Sequence, residues 1–223
     1  MASRGNSAEA SRPAPRIYLV TPQMATASEL AGTFLEAVAV ADVAAVLLRL
    51  APADDRLLVE RVNSLAPLVQ ERGVALVLDG HQELAAQCGA DGAHLTGIDQ
   101  FRAALAALKP ERIAGCGGLQ SRHDAMLAGE AGADYVLFGE PDAAQRRPSF
   151  AAILDRIAWW AELFEVPCIG YATSAEEVAP LAAAGADFVA LGEWVFTHSE
   201  RHGGTAAAIH EAARRLATAE LAA

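Results

Sequence analysis

The 223-residue chain contains only three cysteines, and their spacing is not one that binds a metal. Cys88, Cys116 and Cys168 lie far apart, without a C-x-x-C motif and without histidines at zinc-finger intervals. This disfavours both a disulfide framework and a structural zinc site. Since free cysteine is among the most buried residue types, we expect three buried, reduced thiols.

Long apolar runs are also missing, although 53% of the residues are hydrophobic. No segment approaches the roughly 20 uninterrupted apolar residues that span a bilayer, so no membrane partner is predicted. Residues 1–15 contain Arg, Ser, Pro and Ala and lack the continuous apolar core of a signal peptide. We therefore expect a disordered tail over residues 1–15, one domain over residues 16–223, and a cytoplasmic location.

Positive charge is scarce, since 17 Lys and Arg stand against 28 Asp and Glu and give a formal net charge of −11. Nucleic-acid affinity comes largely from clustered Lys and Arg, so this balance argues against nucleic acid and anionic membranes as partners. It does not exclude a phosphorylated small molecule. A few backbone N–H groups and one or two Arg residues are enough to make a pocket locally positive.

What the chain does contain is a regular alternation of short apolar runs with Ala-rich segments of helical period. Eight runs are predicted to be strands: Ile17 to Thr21, Ala44 to Leu50, Val74 to Leu78, Gly92 to Leu95, Arg112 to Cys116, Tyr135 to Gly139, Cys168 to Tyr171 and Phe188 to Leu191. A predicted helix follows each: Ala27 to Ala39, Asp54 to Arg72, Gln82 to Cys88, Gln100 to Leu108, Ser121 to Ala131, Ser149 to Phe164, Ala175 to Ala184 and Thr205 to Leu216. Eight strand–helix pairs in about 200 residues predict a single α/β domain, a (β/α)8 or TIM barrel.

A short joint with the core Gly-Ala-Asp, or Gly-Ala-Asp-Gly, occurs three times, within Cys88 to Leu95, Ala131 to Gly139 and Ala184 to Gly192. We expect Gly to end a helix in the left-handed conformation, Ala to pack on the sheet, and Asp to cap the turn before a buried strand. These joints lie at the amino-terminal ends of their strands. Because barrel active sites lie at the opposite end, the joints are expected to stabilise the fold.

The carboxyl ends of the predicted strands carry the residues suited to chemistry. Asp79 and Asp99 follow strands 3 and 4, where two carboxylates can jointly hold one Mg²⁺ that bridges a substrate diphosphate; the alternative is that each begins the next helix. Arg49 ends strand 2 and can fork onto a phosphate or onto one of these carboxylates. His81 is the better acid–base candidate, whereas His94, inside a strand, is expected to be a hydrogen-bonded core residue.

Glycines at the strand ends are candidate substrate-binding positions. Gly117 and Gly118 can bring bare backbone close to a ligand, although such glycines are common in barrels. Gly170 and Gly192 end strands 7 and 8, where barrels frequently bind phosphate at the start of a short helix. We therefore expect phosphate to bind near the last two strands.

The long loop after strand 6 begins at Gly139 and contains two adjacent arginines, Arg146 and Arg147. It has no secondary-structure signal of its own, so it can close over a ligand. The alternative for the two arginines is a solvated pair of charges.

Several ordered motifs resemble thiamine phosphate synthase, including its regulator-like relatives that lack synthase activity. They are Ile17 to Thr21, Asp91 to Leu95, Gly132 to Tyr135 and Gly185 to Asp187, within residues 16–197. Members of this family are similar in joining a pyrimidine diphosphate to a thiazole phosphate with loss of pyrophosphate, while Mg²⁺ and basic residues neutralise the leaving group. The resemblance implies a phosphorylated heterocycle as ligand, Mg²⁺ as cofactor and a homodimer.

Position by position, the resemblance keeps the scaffold and replaces most side chains of the family's site. The family's Gln-Leu-Arg-x-Lys falls on Leu47 to Ala51, so only Arg49 is retained, and its Asn-Asp-Arg falls on Asp79 to His81. The second metal carboxylate of the family falls on Asp99, and its Ser-Thr falls on Gly117-Gly118. One metal carboxylate is thus moved or removed.

At the positions of the family's later motifs, this chain retains glycines and one cationic residue. Gly-Pro-x-Phe-x-Thr-x-Thr-Lys falls on Gly139 to Arg147, with Arg147 in place of the final Lys. The phosphate cradle after strand 7 falls near Gly170, and the Val-Ser of strand 8 falls on Leu191-Gly192. Backbone N–H donors remain there without a hydroxyl.

Two functions from different classes follow. The first is a divergent thiamine phosphate synthase in which Asp99 and Asp79 hold Mg²⁺, Arg49 and Arg147 stabilise the departing pyrophosphate, and His81 moves a proton. The other is a non-synthase relative, either one that binds or tautomerises a thiazole phosphate or a catalytically inactive binding or regulatory barrel. The replaced Gln, Asn, Lys and Ser favour the second.

Overall fold

The structure is a computed structural model that describes residues 13–197 and 204–220. Its eight strands are parallel and close into a barrel in chain order, with β1 paired to both β2 and β8. They are β1 Arg16–Met24, β2 Val43–Leu50, β3 Ala75–Asp79, β4 Gly92–Thr96, β5 Ile113–Gly117, β6 Tyr135–Phe138, β7 Cys168–Ala172 and β8 Phe188–Leu191. The predicted (β/α)8 barrel is confirmed.

A helix follows each strand, and a short 3₁₀ helix, Glu193–Val195, precedes the last one. The helices are α1 Ala27–Val40, α2 Asp55–Gln70, α3 Gln82–Cys88, α4 Ile98–Leu108, α5 Arg122–Glu130, α6 Phe150–Leu163, α7 Ala175–Ala183 and α8 Gly204–Glu220. Ser121 and Ser149, which were predicted to open helices, are instead the N-caps of α5 and α6, where each hydroxyl accepts a backbone N–H. All predicted elements are present, with ends that differ by a few residues.

The strands separate two apolar layers, because successive side chains on a strand point to opposite faces. In β2, Val46 and Leu48 belong to the larger core between sheet and helices. Leu47, between them, belongs to the smaller core inside the barrel, together with Tyr18 and Val77. The same alternation directs Arg49, two residues after Leu47, toward the interior at the carboxyl end of the barrel.

The repeated Gly-Ala-Asp joint binds each strand to its predecessor in the sheet. The three glycines have positive φ angles, between 69° and 99°, as predicted for left-handed helix ends. The aspartates were expected to cap the turn, but their carboxylates reach the neighbouring strand. Asp91, Asp134 and Asp187 accept the backbone N–H of Leu76, Ala114 and Cys168 at 2.7, 2.7 and 2.8 Å, respectively.

The three cysteines are all buried and none of them is paired in a disulfide, as predicted. Burial raises the pKa of Cys116 to about 12, with a smaller contribution from the charge of Asp124. A thiol with so high a pKa stays protonated at neutral pH and is a poor nucleophile. The cysteines therefore belong to the packing of the barrel.

Two further predictions concern the ends of the chain and the membrane. Residues 1–12 of the expected tail lie outside the described residues, so the division into a tail, 1–15, and a domain, 16–223, stays a prediction. Within the described ranges, no helix is long and apolar enough to cross a membrane.

Candidate active site at the carboxyl end of the barrel

The interior of the barrel changes from apolar to polar toward the carboxyl ends of the strands. Arg49 in β2, Asp79 in β3 and His94 in β4 lie at this level and come from three neighbouring strands. Period-two alternation brings them inside, because Arg49 and Asp79 each stand two residues after an inward neighbour, and His94 lies between Ala93 and Leu95, which belong to the outer core. Asp79 pairs with His94 in the strand register, which places these two side by side.

Glycines on β5 make room for rings at this level. A Cβ on Gly115 would lie 2.0 Å from the Tyr135 ring, and one on Gly117 would lie 2.5 Å from His94 Nε2. Real Cβ contacts are essentially never closer than 3.0 Å. Tyr135 and His94 can occupy the interior because their neighbours on β5 have no side chain.

A chain of buried polar groups crosses the barrel interior. The hydroxyls of Tyr18 and Tyr135 are 2.8 Å apart, and the Tyr135 hydroxyl is 3.0 Å from His94 Nδ1. His94 Nε2 is 3.5 Å from Glu140 Oε2, and it has no hydrogen-bond partner among the described residues. Burial raises the pKa of both tyrosines, so their hydroxyls stay protonated.

Arg49 lies at the end of this chain, surrounded by carboxylates. Its Nε donates to Asp79 Oδ2 at 3.0 Å, its Nη1 to Glu193 Oε1 at 3.3 Å, and its Nη2 to Glu140 Oε1. Burial favours the neutral form of Glu140, but His94 and Arg49 outweigh it and lower the pKa of this carboxyl. One guanidinium against three carboxylates leaves this group, the Arg49 cluster, with net negative charge.

The loop between β6 and α6 presents its two arginines in different ways. The Arg146 side chain is 80% exposed and pairs with Asp142 at 2.8 Å. The Arg147 side chain is 15% exposed, and its Nη1 donates to Thr173 Oγ1 at 2.7 Å and to Glu177 Oε2 at 3.0 Å. Arg147 Nη2 is buried and has no hydrogen-bond partner in the described part of the chain. A solvated charge pair thus describes Arg146 and not Arg147.

Two adjoining pockets open at this end of the barrel. The large pocket has a volume of about 900 Å³, and the small pocket has a volume of about 190 Å³. Arg49 and Glu193 line both, so the Arg49 cluster lies between them. The large pocket is also lined by Arg147 and falls within the size range of small-molecule sites.

The structure brings most of the predicted site residues to these pockets and leaves three outside them. The large pocket is lined by Arg49, Asp79, His81, Gly118, Gly139 and Arg147, and the small pocket by Arg49 and Gly192. Gly117 lies against His94, and Asp99 is exposed in the first turn of α4. A Cβ on Gly170 would lie 2.9 Å from both Ile157 and Leu181, so this glycine serves the packing of α6 and α7 against β7.

The pairing of Asp79 with Asp99 around Mg²⁺ does not fit the donor set. Asp79 already accepts a hydrogen bond from Arg49, whereas Asp99 lines neither pocket. In residues 13–197 and 204–220, no three His, Cys, Asp or Glu side chains are grouped so as to hold a metal ion. Asp79 and Asp99 therefore do not form a shared Mg²⁺ site in this structure.

Sequence reasoning missed two residues of the site, Tyr135 and Glu140. Tyr135 carries a readable signal, because period-two alternation in β6 directs Tyr135 and Leu137 toward the interior. Glu140 carries none. It follows β6 in a loop without periodicity, and its contact with Arg49 depends on how that loop folds back over the barrel.

The fold and the site define a class of protein. A closed parallel barrel, with arginines and carboxylates gathered around a pocket at the carboxyl ends of its strands, has the arrangement of a (β/α)8 barrel whose ligand site is built by the βα loops. Comparison with known proteins then places the chain within this class.

A sequence profile of the family described as thiamine monophosphate synthase matches residues 17–199. The chain is 40% identical over 186 residues to the thiamine-phosphate synthase of Rhodospirillum centenum, covering 82% of this chain and 90% of that protein. It is 35% identical over 206 residues to the thiamine-phosphate synthase of Hyphomonas neptunium, covering 89% and 92%. The thiamine phosphate pyrophosphorylase from Pyrococcus furiosus has the same fold, with a TM-score of 0.75 at 20% identity over 92% of this chain and 96% of that one. The chain belongs to the thiamine monophosphate synthase family and is a thiamine phosphate synthase-like protein.

Proposed function

We propose that this protein joins a pyrimidine diphosphate to a thiazole phosphate, with release of pyrophosphate, in the large pocket. Membership of the family supports the reaction. The observation that carries the location is Arg147, which lines the large pocket and whose buried Nη2 has no hydrogen-bond partner among residues 13–197 and 204–220. A buried donor without a partner is costly, and an anionic ligand that accepts from it removes that cost.

Arg147 is well placed to bind a phosphate group. Thr173 and Glu177 hold its Nη1, which fixes the guanidinium plane before a ligand arrives. Glu177 is fixed in turn, since its Oε2 accepts the backbone N–H of Thr173 at 2.8 Å. A cation oriented in advance binds the negative charge of a phosphate group without having to reorganise.

The other predicted residues at the pockets have narrower proposed roles. Gly118, Gly139 and Gly192 would offer close approach of a ligand to backbone, and the exposed His81 would transfer protons at the rim of the large pocket. Arg49 would bind the diphosphate only if the three carboxylates that accept from its guanidinium moved away.

Calorimetric titration of thiazole phosphate into the purified protein tests the proposed site. We expect Arg147→Met to weaken binding by about tenfold or more, because a charge-assisted hydrogen bond contributes about 1.5–3 kcal/mol. Arg146→Met is the matched control, since it removes the adjacent but exposed arginine, and it should weaken binding only a few-fold, by the order of a surface charge pair. Equal losses in the two variants would contradict the assignment to Arg147.

A second candidate is a relative that binds a thiazole phosphate without joining it to the pyrimidine. The Arg49 cluster favours this second function. Three carboxylates form ion pairs with the Arg49 guanidinium, which a diphosphate would need as its binding partner. Titration of the pyrimidine diphosphate separates the two functions. A synthase binds both compounds, whereas a binding protein of this kind binds the thiazole phosphate alone.

Mg²⁺, a homodimer and a cytoplasmic location are proposals that rest on the family resemblance. The titrations are run with and without Mg²⁺, because this ion is often held by one or two carboxylates together with substrate phosphate oxygens. Size-exclusion chromatography with light scattering measures the oligomeric state. Cell fractionation measures the location.

A further inference from the structure

All three nitrogens of the Arg49 guanidinium donate to carboxylates of this chain. Asp79, Glu193 and Glu140 accept from Nε, Nη1 and Nη2, respectively. The planar fork of an arginine grips a phosphate group through paired N–H donors on one edge. Each edge of this fork already carries a carboxylate, so an anion that approaches Arg49 meets like charge.

The three carboxylates differ in how readily they can leave Arg49. The Glu193 side chain is 53% exposed and that of Asp79 is 29% exposed, so both can turn toward water. The Glu140 side chain is only 9% exposed. Its second oxygen, Oε2, faces His94 Nε2 at 3.5 Å, and His94 is fixed on its other side by Tyr135. Glu140 is therefore the carboxylate that is built into the site.

We propose that Glu140 is a specificity-determining residue that keeps Arg49 from binding diphosphate. The inference rests on the proposed function, because it takes the leaving pyrophosphate as the anion that Arg49 would otherwise bind. With Glu140 in place, the centre of the barrel mouth accepts an uncharged or cationic part of a ligand. Phosphate recognition is left to Arg147, whose Nη2 has no partner in the described residues.

The charge of Glu140, rather than its bulk, has this effect. Glutamine has nearly the same shape and can still accept from Arg49, but it does not neutralise the guanidinium. Aspartate keeps the charge. The two substitutions at one position therefore separate electrostatic exclusion from filling of space.

Titration of inorganic pyrophosphate into the full chain, followed by calorimetry, tests the proposal. We expect Glu140→Gln to bind pyrophosphate about tenfold more tightly than the wild type, and Glu140→Asp to bind it like the wild type, because a neighbouring carboxylate opposes the anion. Adding Arg49→Leu to Glu140→Gln should abolish the gain. Glu211→Gln is the control for net charge, since Glu211 lies on α8 and pairs with Arg214 and Arg215.

Unchanged affinity in Glu140→Gln, or a gain that persists without Arg49, overturns the proposal. Should Glu140→Gln fail to fold by circular dichroism, Glu140→Met removes the same charge with a side chain of similar length and should also tighten pyrophosphate binding; no tightening in that variant would overturn the proposal as well. The assay does not depend on turnover. A gain in Glu140→Gln without any thiamine phosphate formation sinks the proposed function alone, and product formation without the gain sinks this inference alone.

Discussion

The hydroxyl of Tyr135 is the residue-scale feature that connects the polar chain inside the barrel. It contacts both the Tyr18 hydroxyl and His94 Nδ1. Tyr135→Phe leaves both partners buried without that bond, and an unsatisfied buried group costs about 1–3 kcal/mol. We expect urea unfolding to show a loss of that order for Tyr135→Phe and a smaller loss for Tyr18→Phe, which keeps the bond between Tyr135 and His94. Equal losses would contradict the chain as described.

Glu140 makes the stability of the protein depend on pH. Burial raises the pKa of its carboxyl, but His94 and Arg49 outweigh burial and hold this pKa below its ordinary value. A depressed folded pKa adds stability above the unfolded pKa, and this contribution is lost as the pH falls through the folded pKa.

The consequence is measurable by urea unfolding at about pH 6 and about pH 3. The free energy of unfolding should fall less between these two pH values in Glu140→Gln than in the wild type, because the variant has no carboxyl to protonate at this position. An equal fall in the free energy of unfolding in both proteins would mean that His94 and Arg49 do not stabilise the charged form of Glu140.

Gly117 is a position where one added methyl group has a large effect. A Cβ there would lie 2.5 Å from His94 Nε2, whereas one on Gly32 in α1 would meet no atom of the described side chains and backbone within 4 Å. Overpacking of a filled interior costs about 1–3 kcal/mol, so Gly117→Ala should be destabilising. Gly32→Ala should be neutral or stabilising by up to about 1 kcal/mol, since Ala is the better helix former. Thermal unfolding of both variants checks the contrast.

For single residues, the sequence predicts where a side chain lies in the barrel better than it predicts which side chains it contacts. Alternation along β2 and β3 was sufficient to place Arg49 and Asp79 at the barrel mouth, and the fork onto a carboxylate was one of two predicted outcomes for Arg49. No local pattern distinguishes Arg146 from Arg147, because both lie in a loop without periodicity, and only the family resemblance singled out Arg147. Their different burial arises from tertiary contacts with Thr173 and Glu177.

At the scale of elements, the Gly-Ala-Asp joints hold neighbouring strands together. In β7, the Cys168 N–H donates to Asp187 Oδ2, while the Asp187 N–H donates to the Cys168 carbonyl. Hydrogen bonds to a charged group contribute about 1.5–3 kcal/mol, so Asp187→Ala should lower the free energy of unfolding by that order. Asp155→Ala, on the exposed face of α6, should change it by less than about 0.5 kcal/mol. Similar effects in both variants, measured by urea unfolding, would leave the joint without a structural role.

The elements themselves were predicted well, since glycine caps and apolar runs mark their ends locally. The departures have local causes that a pattern does not show. β1 continues to Met24 because a register shift between Val20 and Gln23 lets Gln23 and Met24 pair with Arg49 and Leu50. α4 begins at Ile98 rather than Gln100 because Gly97, with φ of 89°, turns the chain earlier.

At the scale of the whole molecule, barrel closure follows from eight repeated units, whereas the site depends on how loops from different units meet. The pocket forms where the β6–α6 loop folds over the ends of β2 and β3 and brings Glu140 to Arg49. These contacts join residues far apart in sequence. The barrel fold can therefore be predicted from the sequence, whereas the balance of charges at the carboxyl end of the barrel cannot.

The most direct test is formation of thiamine phosphate and pyrophosphate by the purified full chain, supplied with pyrimidine diphosphate, thiazole phosphate and Mg²⁺. We expect both products in equal amounts, with the rate lost in Arg147→Met and largely kept in Arg146→Met. A folded wild-type protein that binds thiazole phosphate but yields neither product would contradict the synthase function.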